Sequence, residues 1–209
     1  MRRYVQELVG TFFLVLTIGC TVIGSPAGVI PPLAIGSVLM VMIYAGGHVS
    51  GAHYNPAVTV AVFLRGRCTA ADVVPYFVAQ LAGALAAAAV ATFLRGSPSS
   101  PPFMAPSVHI ALVAEFLFTF ALAYVVLNVA TAKATNGNSY FGLAIGFTVL
   151  AGAFAVGDLS GGSFNPAVAV GGTVMRLFSP GMLWIYLVGE LAGGVAAALL
   201  FKALNPDDK

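Results

Sequence analysis

Long apolar segments, separated by short groups of polar and turn residues, make up most of this chain. No Lys, Arg, Asp or Glu occurs between Glu7 and Arg65, and similar segments follow. Because a helix needs roughly 20 apolar residues to cross a bilayer, these segments predict membrane-spanning helices. A membrane β-barrel would instead alternate polar and apolar residues. The predicted spans are residues 4–24, 33–47, 73–94, 108–130, 140–156 and 182–202.

Two further apolar segments are shorter, and both follow the same motif. Ser-Gly-Ala-His-Tyr-Asn-Pro-Ala-Val at residues 50–58 returns, 110 residues later, as Ser-Gly-Gly-Ser-Phe-Asn-Pro-Ala-Val at residues 160–168. Proline suits the first turn of a helix, and the Asn before it can serve as the N-cap. The apolar stretch after the first copy, residues 57–64, is about half the length of a bilayer crossing. Each copy therefore predicts a turn that leads into a half-helix.

The repetition extends over the whole of each half. Glu7 recurs as Glu115, and Tyr-Phe-Val-Ala-Gln-Leu-Ala-Gly at residues 76–83 recurs as Tyr-Leu-Val-Gly-Glu-Leu-Ala-Gly at residues 186–193. We therefore expect a single domain of two repeats, residues 1–95 and 108–209, joined by a Pro- and Ser-rich linker at residues 96–107. Three spans per half is an odd number, so the second repeat is inverted. The half-helices then enter from opposite faces, and their N-termini meet near the midplane.

Composition supports an all-α membrane protein. Charged residues make up 8% of the chain, against about 25% in soluble domains, and the mean hydropathy is +0.97. In the predicted topology, seven of the nine Lys and Arg residues lie on the same side of the membrane as the N-terminus. This excess predicts cytoplasmic termini in a multi-pass protein of the plasma (inner) membrane. A net charge of +2 without a long basic cluster gives no case for nucleic acid. The two cysteines have no metal-ligand spacing, and no metal is expected.

The two repeated motifs predict a pore. Non-helical backbone is tolerated at bilayer depth where it lines a wet cavity. Its carbonyls would accept hydrogen bonds, while Asn55 and Asn165 would donate them beside the positive ends of the half-helices. Such a lining suits neutral solutes and excludes cations and protons, which indicates a passive channel. The expected pore-lining carbonyls are those of Gly51, Ala52, His53, Tyr54, Gly161, Gly162, Ser163 and Phe164.

The paired motifs resemble the major intrinsic protein family of aquaporins and aquaglyceroporins over nearly the whole chain. The resemblance implies an aquaporin-like fold of six transmembrane helices plus two re-entrant half-helices, in a right-handed bundle. It also implies a homotetramer with one pore per subunit, no cofactor and no enzymatic activity. The partners would be the lipid bilayer, water and small neutral solutes. The family's motif residues correspond here to Asn55, Pro56, Ala57, Asn165, Pro166 and Ala167.

The family's outer constriction corresponds to Ile35, Ala153, Gly162 and Val168. The family usually places an arginine where Val168 stands, and water-selective members have an aromatic residue and a histidine where this chain has Ile35 and Ala153. The resemblance therefore implies a wide, apolar constriction, as in bacterial aquaglyceroporin-like members. Glycerol, urea and neutral or methylated metalloid acids would pass, together with water. A water-selective aquaporin and a weakly selective ion channel remain alternatives, since losing the arginine removes a cation barrier.

Buried ionisable residues offer a second set of candidates, because carboxylates within a membrane are functional by default. Glu7 and Glu115 could relay protons, but their repetition favours a structural role in which each accepts hydrogen bonds from the re-entrant loop of its half. Asp158, before the second loop, is expected to do similar work, and His53 is expected to be structural. An intramembrane enzyme would need a nucleophile with a base or a metal cluster, and neither is visible. A junctional protein with a closed pore is a further rival.

Overall fold

The structure is a computed structural model that describes residues 1–24, 28–98 and 107–208. Six of its helices are long and apolar enough to cross a membrane, and two others are about half that length, which confirms the predicted all-α architecture. Pro26, most of the linker and Lys209 lie outside the described residues. The α-helices are α1 (Arg2–Val22), α2 (Ile30–Ser50), α3 (Pro56–Leu64), α4 (Ala70–Arg95), α5 (Val108–Val126), α6 (Phe141–Ser160), α7 (Pro166–Val174) and α8 (Leu183–Leu204).

The helices pack as two related sets that interlock. Helix α1 packs against α4 and α2, and α5 packs in the same way against α8 and α6. Helices α2 and α6 join the sets, while each half-helix packs on a span of the other set, α3 on α8 and α7 on α4. Because neither half-helix is enclosed by its own repeat alone, the core belongs to both repeats together.

Several predicted boundaries were a few residues short. Helix α2 begins at Ile30 rather than 33, because Pro31 and Pro32 occupy its first turn, where a missing N–H costs nothing. It also runs to Ser50 rather than 47, since the residue that ends it is Gly51, with φ of 85°. Helix α6 likewise runs to Ser160, before Gly161 with φ of 96°. A glycine in the left-handed conformation is the usual C-terminal stop of a helix.

Both ends of the chain lie at one face of the bundle, which we call the terminal face. The Arg65 guanidinium, at the end of α3, donates to Asp208 Oδ1 at 2.6 Å and lies 4.7 Å from the centre of the Phe201 ring. The Lys133 backbone N–H donates to Asp208 Oδ2 at 2.9 Å. This N–H and the guanidinium hold the pKa of the Asp208 carboxyl below its usual range.

At the end of the bundle opposite the terminal face, Met175 after α7 packs against Gly19 of α1. The half-helices therefore run from the centre toward opposite faces.

Two equivalent glycines allow close helix approaches. A Cβ built on Gly83 of α4 would lie 2.4 Å from the carbonyl oxygen of Leu8 in α1. A Cβ on Gly193 of α8 would lie 2.6 Å from the carbonyl oxygen of Phe116 in α5. Small residues of this kind let backbones touch where no hydrophobic effect drives membrane helices together.

We expect Gly83→Ala and Gly193→Ala to destabilise the bundle, because the added methyl group meets backbone rather than a flexible side chain. Overpacking of this kind costs about 1–3 kcal/mol or more. The matched control is Gly157→Ala in α6, where a built Cβ meets nothing within 4 Å. Thermal unfolding in detergent micelles should show a lower Tm for the first two variants only. Equal Tm values for all three would contradict the close approach.

Candidate pore

The two half-helices begin with capping asparagines whose amides have a defined orientation. Asn55 Oδ1 accepts from the Ala57 N–H at 2.8 Å, and Asn165 Oδ1 accepts from the Ala167 N–H at 2.9 Å. Proline occupies the next position in both cases, as expected for a first helical residue. Because the oxygen of each side chain faces its own helix, the NH₂ group points away from it.

Each asparagine NH₂ group reaches the loop of the other repeat. Asn55 Nδ2 donates to the carbonyl oxygen of Phe164 at 2.9 Å, and Asn165 Nδ2 donates to the carbonyl oxygen of Tyr54 at 2.8 Å. These reciprocal bonds tie the two half-helix starts together at the centre of the bundle. An amide NH₂ carries two hydrogens, so each retains one donor after this bond. Both asparagines also line the same cavity.

The residues just before the asparagines have an unusual backbone. Tyr54 and Phe164 adopt φ of 50° and 51°, the left-handed region that side chains larger than glycine rarely occupy. Such a conformation costs of order 1–3 kcal/mol and persists only where the surroundings impose it. The contact that holds this conformation is the same in both loops. The Tyr54 N–H donates to Glu7 Oε2, and the Phe164 N–H donates to Glu115 Oε2, each at 2.7 Å.

Buried carboxylates hold both loops. Glu7, fully buried, also accepts from the Ser50 hydroxyl at 2.7 Å and from the His53 N–H at 3.0 Å. In the second repeat, the donors to Glu115 are Ser160 Oγ at 2.7 Å and the Ser163 N–H at 3.1 Å. Neither carboxylate lines either of the two cavities described below. This geometry favours the loop-support interpretation over the relay, because in the described part of the chain neither carboxylate itself borders a cavity.

The expectation for Asp158 was wrong. Its side chain is exposed, lines a cavity and makes no hydrogen bond to the second loop in the described part of the chain. The serine two residues later does that work, because Ser160 Oγ also accepts from the Gly162 N–H at 3.2 Å. The sequence analysis missed Ser160 and its counterpart Ser50, although both copies of the motif begin with serine.

Two cavities traverse the bundle. One, of about 940 Å³, opens at the face opposite the termini and reaches Asn55 and Asn165; we call it the far cavity. The other, of about 840 Å³, opens at the terminal face beside Arg3 and Lys133. They meet in the middle, because a single group of residues lines both. That group is Ile43, Ala52, His53, Val126 and Ile145.

The four residues assigned to the outer constriction all lie in the wall of the far cavity. A Cβ built on Gly162 would be 3.7 Å from the Ala153 Cα, so these two residues are neighbours. The Val168 residue is 4% exposed, and none of the four positions carries a side-chain hydrogen-bond donor. Charged side chains line this cavity at Arg95 and Asp158.

The predicted loop positions divide between the cavities. Gly51 lines only the cavity at the terminal face, and Phe164 lines neither of the two. The carbonyl oxygens of Tyr54 and Phe164 are already bonded to the opposing asparagines. Six of the eight predicted positions border the far cavity, namely Ala52, His53, Tyr54, Gly161, Gly162 and Ser163.

Sequence analysis missed the apolar wall of the far cavity. Its branched side chains come from four different spans and one half-helix, so no local pattern marks them. A partial signal existed at Val58, which matches Val168 at the same 110-residue offset and lines the same cavity. The wall includes Ile18, Leu39, Ile43, Val58, Leu122, Val126, Ile145 and Val149.

Comparison with known proteins agrees with this architecture. The chain is 38% identical to aquaporin NIP1-3 of Oryza sativa, over its full length and 75% of that protein. It is 35% identical to glycerol uptake facilitator protein-like 6 of Lactiplantibacillus plantarum, over the full length of both. The X-ray structure of the aquaglyceroporin from Plasmodium falciparum has the same fold, with a TM-score of 0.84 and 21% identity over 98% of this chain and 97% of that one.

The family assignment rests on nearly the whole chain. The model of the major intrinsic protein family matches residues 1–201, which include both half-helices, the first five spans and all but the last three residues of α8. Its members are channels for water and small solutes, not enzymes. With the paired capping asparagines and the two joined cavities, this multi-pass membrane protein belongs to the major intrinsic protein family of channels.

Proposed function

We propose that this chain forms a passive channel for uncharged solutes larger than water, with water passing as well. The solute class comprises glycerol, urea and neutral or methylated metalloid acids. One observation carries the proposal: the four constriction positions hold Ile35, Ala153, Gly162 and Val168, none of which has a side-chain donor. The name of the glycerol uptake facilitator relative supports the same class.

An apolar wall opposite a polar one suits such solutes. Branched side chains such as Leu39 and Val149 cover one part of the far cavity, while the re-entrant backbone around Gly162 supplies polar atoms. Removing a polar solute from water without replacing its hydrogen bonds costs several kcal/mol, at about 1–3 kcal/mol per group. The backbone replaces those bonds on one side, and the apolar wall tolerates carbon or methyl groups on the other.

The central asparagines account for the exclusion of protons and cations. The free hydrogens of Asn55 and Asn165 would bind the oxygen of a passing molecule and interrupt a continuous chain of hydrogen-bonded water. The N-termini of α3 and α7 also carry partial positive charge at this point. Together these groups favour neutral solutes at the only place where the two loops meet in the described structure.

We also propose a plasma (inner) membrane location, cytoplasmic termini and a homotetramer. Basic residues at the terminal face support this orientation, as the positive-inside rule expects. They include Arg2, Arg3, Arg65, Arg67, Lys133 and Lys202. A weakly selective ion channel is the second candidate, because Val168 replaces a cation-repelling arginine and Asp158 lines the far cavity.

A liposome panel tests the proposed function. Stopped-flow light scattering would measure the entry of water, glycerol, urea and a neutral metalloid acid, and electrical recording of the same preparation would measure ion current. We expect entry of the larger solutes without current. Fast water entry with no larger solute would favour a water-selective channel, and a sustained current would favour the ion channel.

Val168→Arg should narrow the far cavity and add donors at the constriction. We expect entry of glycerol and methylated solutes to fall at least tenfold, and water entry to fall much less. Val168→Met is the matched control, because it lengthens the side chain without adding charge or donors. Folding of each variant would be checked by size-exclusion chromatography. Wild-type glycerol entry through a folded Val168→Arg variant would place the constriction elsewhere.

Asn55→Asp and Asn165→Asp should allow cations to leak. Each replaces the donor to a loop carbonyl by a carboxylate that repels the same carbonyl, at a cost of about 1–3 kcal/mol. The matched control is Asn205→Asp, which loses a similar 3.0 Å bond to the Phe201 carbonyl oxygen outside both cavities. Electrical recording should show a cation current in the first two variants alone. If the folded Asn55→Asp and Asn165→Asp variants show no cation current, these asparagines are not part of the cation barrier.

A further inference from the structure

The supports of the two pore loops differ at one equivalent position. In the first repeat, Gln80 Nε2 donates to Glu7 Oε2 at 2.8 Å and to Thr59 Oγ1 at 3.0 Å. In the second repeat, the residue equivalent to Gln80 is Glu190, and the residue equivalent to Thr59 is Ala169. A donor amide and a hydroxyl are thus replaced by a carboxyl group and a methyl group.

Glu190 is completely buried, and neither of its carboxyl oxygens accepts a hydrogen bond from the described residues. The Ser163 hydroxyl and the Asn165 N–H lie nearby, but neither has hydrogen-bond geometry to a Glu190 oxygen, and the Ser163 hydroxyl donates instead to the carbonyl oxygen of Asn165 at 3.0 Å. Helix α8 brings Glu190 against Glu115, since a Cβ built on the adjacent Gly189 would lie 3.4 Å from the Glu115 Cβ, and the two carboxyl groups interact. Two acidic groups therefore share one dry site behind the second loop.

Among the described residues, the elements packed around Glu190 provide no cationic Lys or Arg side chain. Helices α3 and α7 and the turn Pro180–Met182, which pack around α8, contain no ionisable residue. The titratable groups that face Glu190 are Glu115 on α5 and Tyr186 on α8, and the Tyr186 hydroxyl donates to the Ser160 carbonyl oxygen at 2.6 Å. An unpaired buried charge is expensive, and two adjacent carboxylates cannot both ionise cheaply. Glu115, which accepts hydrogen bonds from Ser160, Ser163 and Phe164, is the better placed of the two to carry the charge.

We propose that Glu190 is held as an un-ionised acid whose O–H donates to Glu115, which makes it a positioning residue for the second pore loop. The O–H of Glu190 donates a hydrogen bond to Glu115, as the Gln80 amide donates one to Glu7. Glu115 thereby keeps its bonds to the Ser163 and Phe164 N–H groups, and these residues adjoin Gly162 in the wall of the far cavity. The importance of this loop for solutes rests on the proposed function, whereas the test below measures protonation and is independent of which solute crosses.

Infrared spectroscopy of the folded protein tests the proposal directly. At about pH 8, an ordinary glutamate with a pKa of about 4.3 is ionised, so a carbonyl stretch from an un-ionised carboxyl group should be absent. We expect one such band per chain in the wild type. Its absence would overturn the proposal without any variant.

Two reciprocal variants assign the band. Glu190→Gln places the amide of the first repeat beside Glu115 and should fold but lose the band. Gln80→Glu combined with Thr59→Ala, which matches Ala169, creates the same pair beside Glu7 and should add a second band of about equal intensity. Asp207→Asn, which changes a carboxyl group at the exposed C-terminal end, is the matched control and should leave the spectrum unchanged. Retention of the band in folded Glu190→Gln would contradict the assignment. If that variant does not fold, a folded double variant with Gln80→Glu and Thr59→Ala but without an added band would contradict it.

The proton should also appear in the pH dependence of stability. A group that is protonated when folded and ionised when unfolded releases one proton on unfolding, so rising pH favours the unfolded chain. Between about pH 6 and pH 9, the unfolding equilibrium constant of the wild type should rise about tenfold more per pH unit than that of Glu190→Gln. Parallel pH profiles for the two proteins would mean that Glu190 is ionised in the fold, contrary to the proposal.

Discussion

The structure depends on satisfying backbone N–H groups that the two re-entrant loops expose at bilayer depth. A helix satisfies its own backbone, but residues 51–54 and 161–164 are not helical, and the protein behind them is buried. Glu7 and Glu115 supply the acceptors, with bonds of 2.7 Å to Tyr54 N and Phe164 N. These bonds hold the left-handed residue before each asparagine, and through it the direction in which each half-helix starts.

The pore follows from that arrangement. Because each loop is held from behind, its asparagine can extend its amide across the bundle to the carbonyl of the other loop. The two half-helix N-termini then face the same central space, where partial positive charge and hydrogen-bond donors coincide. Apolar side chains close the remaining wall, so the passage is polar on one side only.

Pseudo-symmetry applies to the scaffold more closely than to the chemistry. The capping asparagines, the serine and glutamate supports and the helix-packing glycines occur twice with nearly equal distances. His53 in the first loop corresponds to Ser163 in the second, and Gln80 corresponds to Glu190. Both loops need the same backbone support, so the residues that provide it are repeated. The other side chains of the two halves can differ in chemistry.

The sequence by itself determined the class of fold and its duplication, because span length, the Asn-Pro-Ala repeats and the repeated glutamates are local signals. It also indicated that Asn55 and Asn165 stand at helix starts. Only the tertiary structure decided that each amide bonds the opposite loop, that Ser50 and Ser160 rather than Asp158 support the glutamates, and which branched side chains line the cavity. Those contacts join residues more than 40 positions apart. No periodicity along one segment records which faces of different helices will meet.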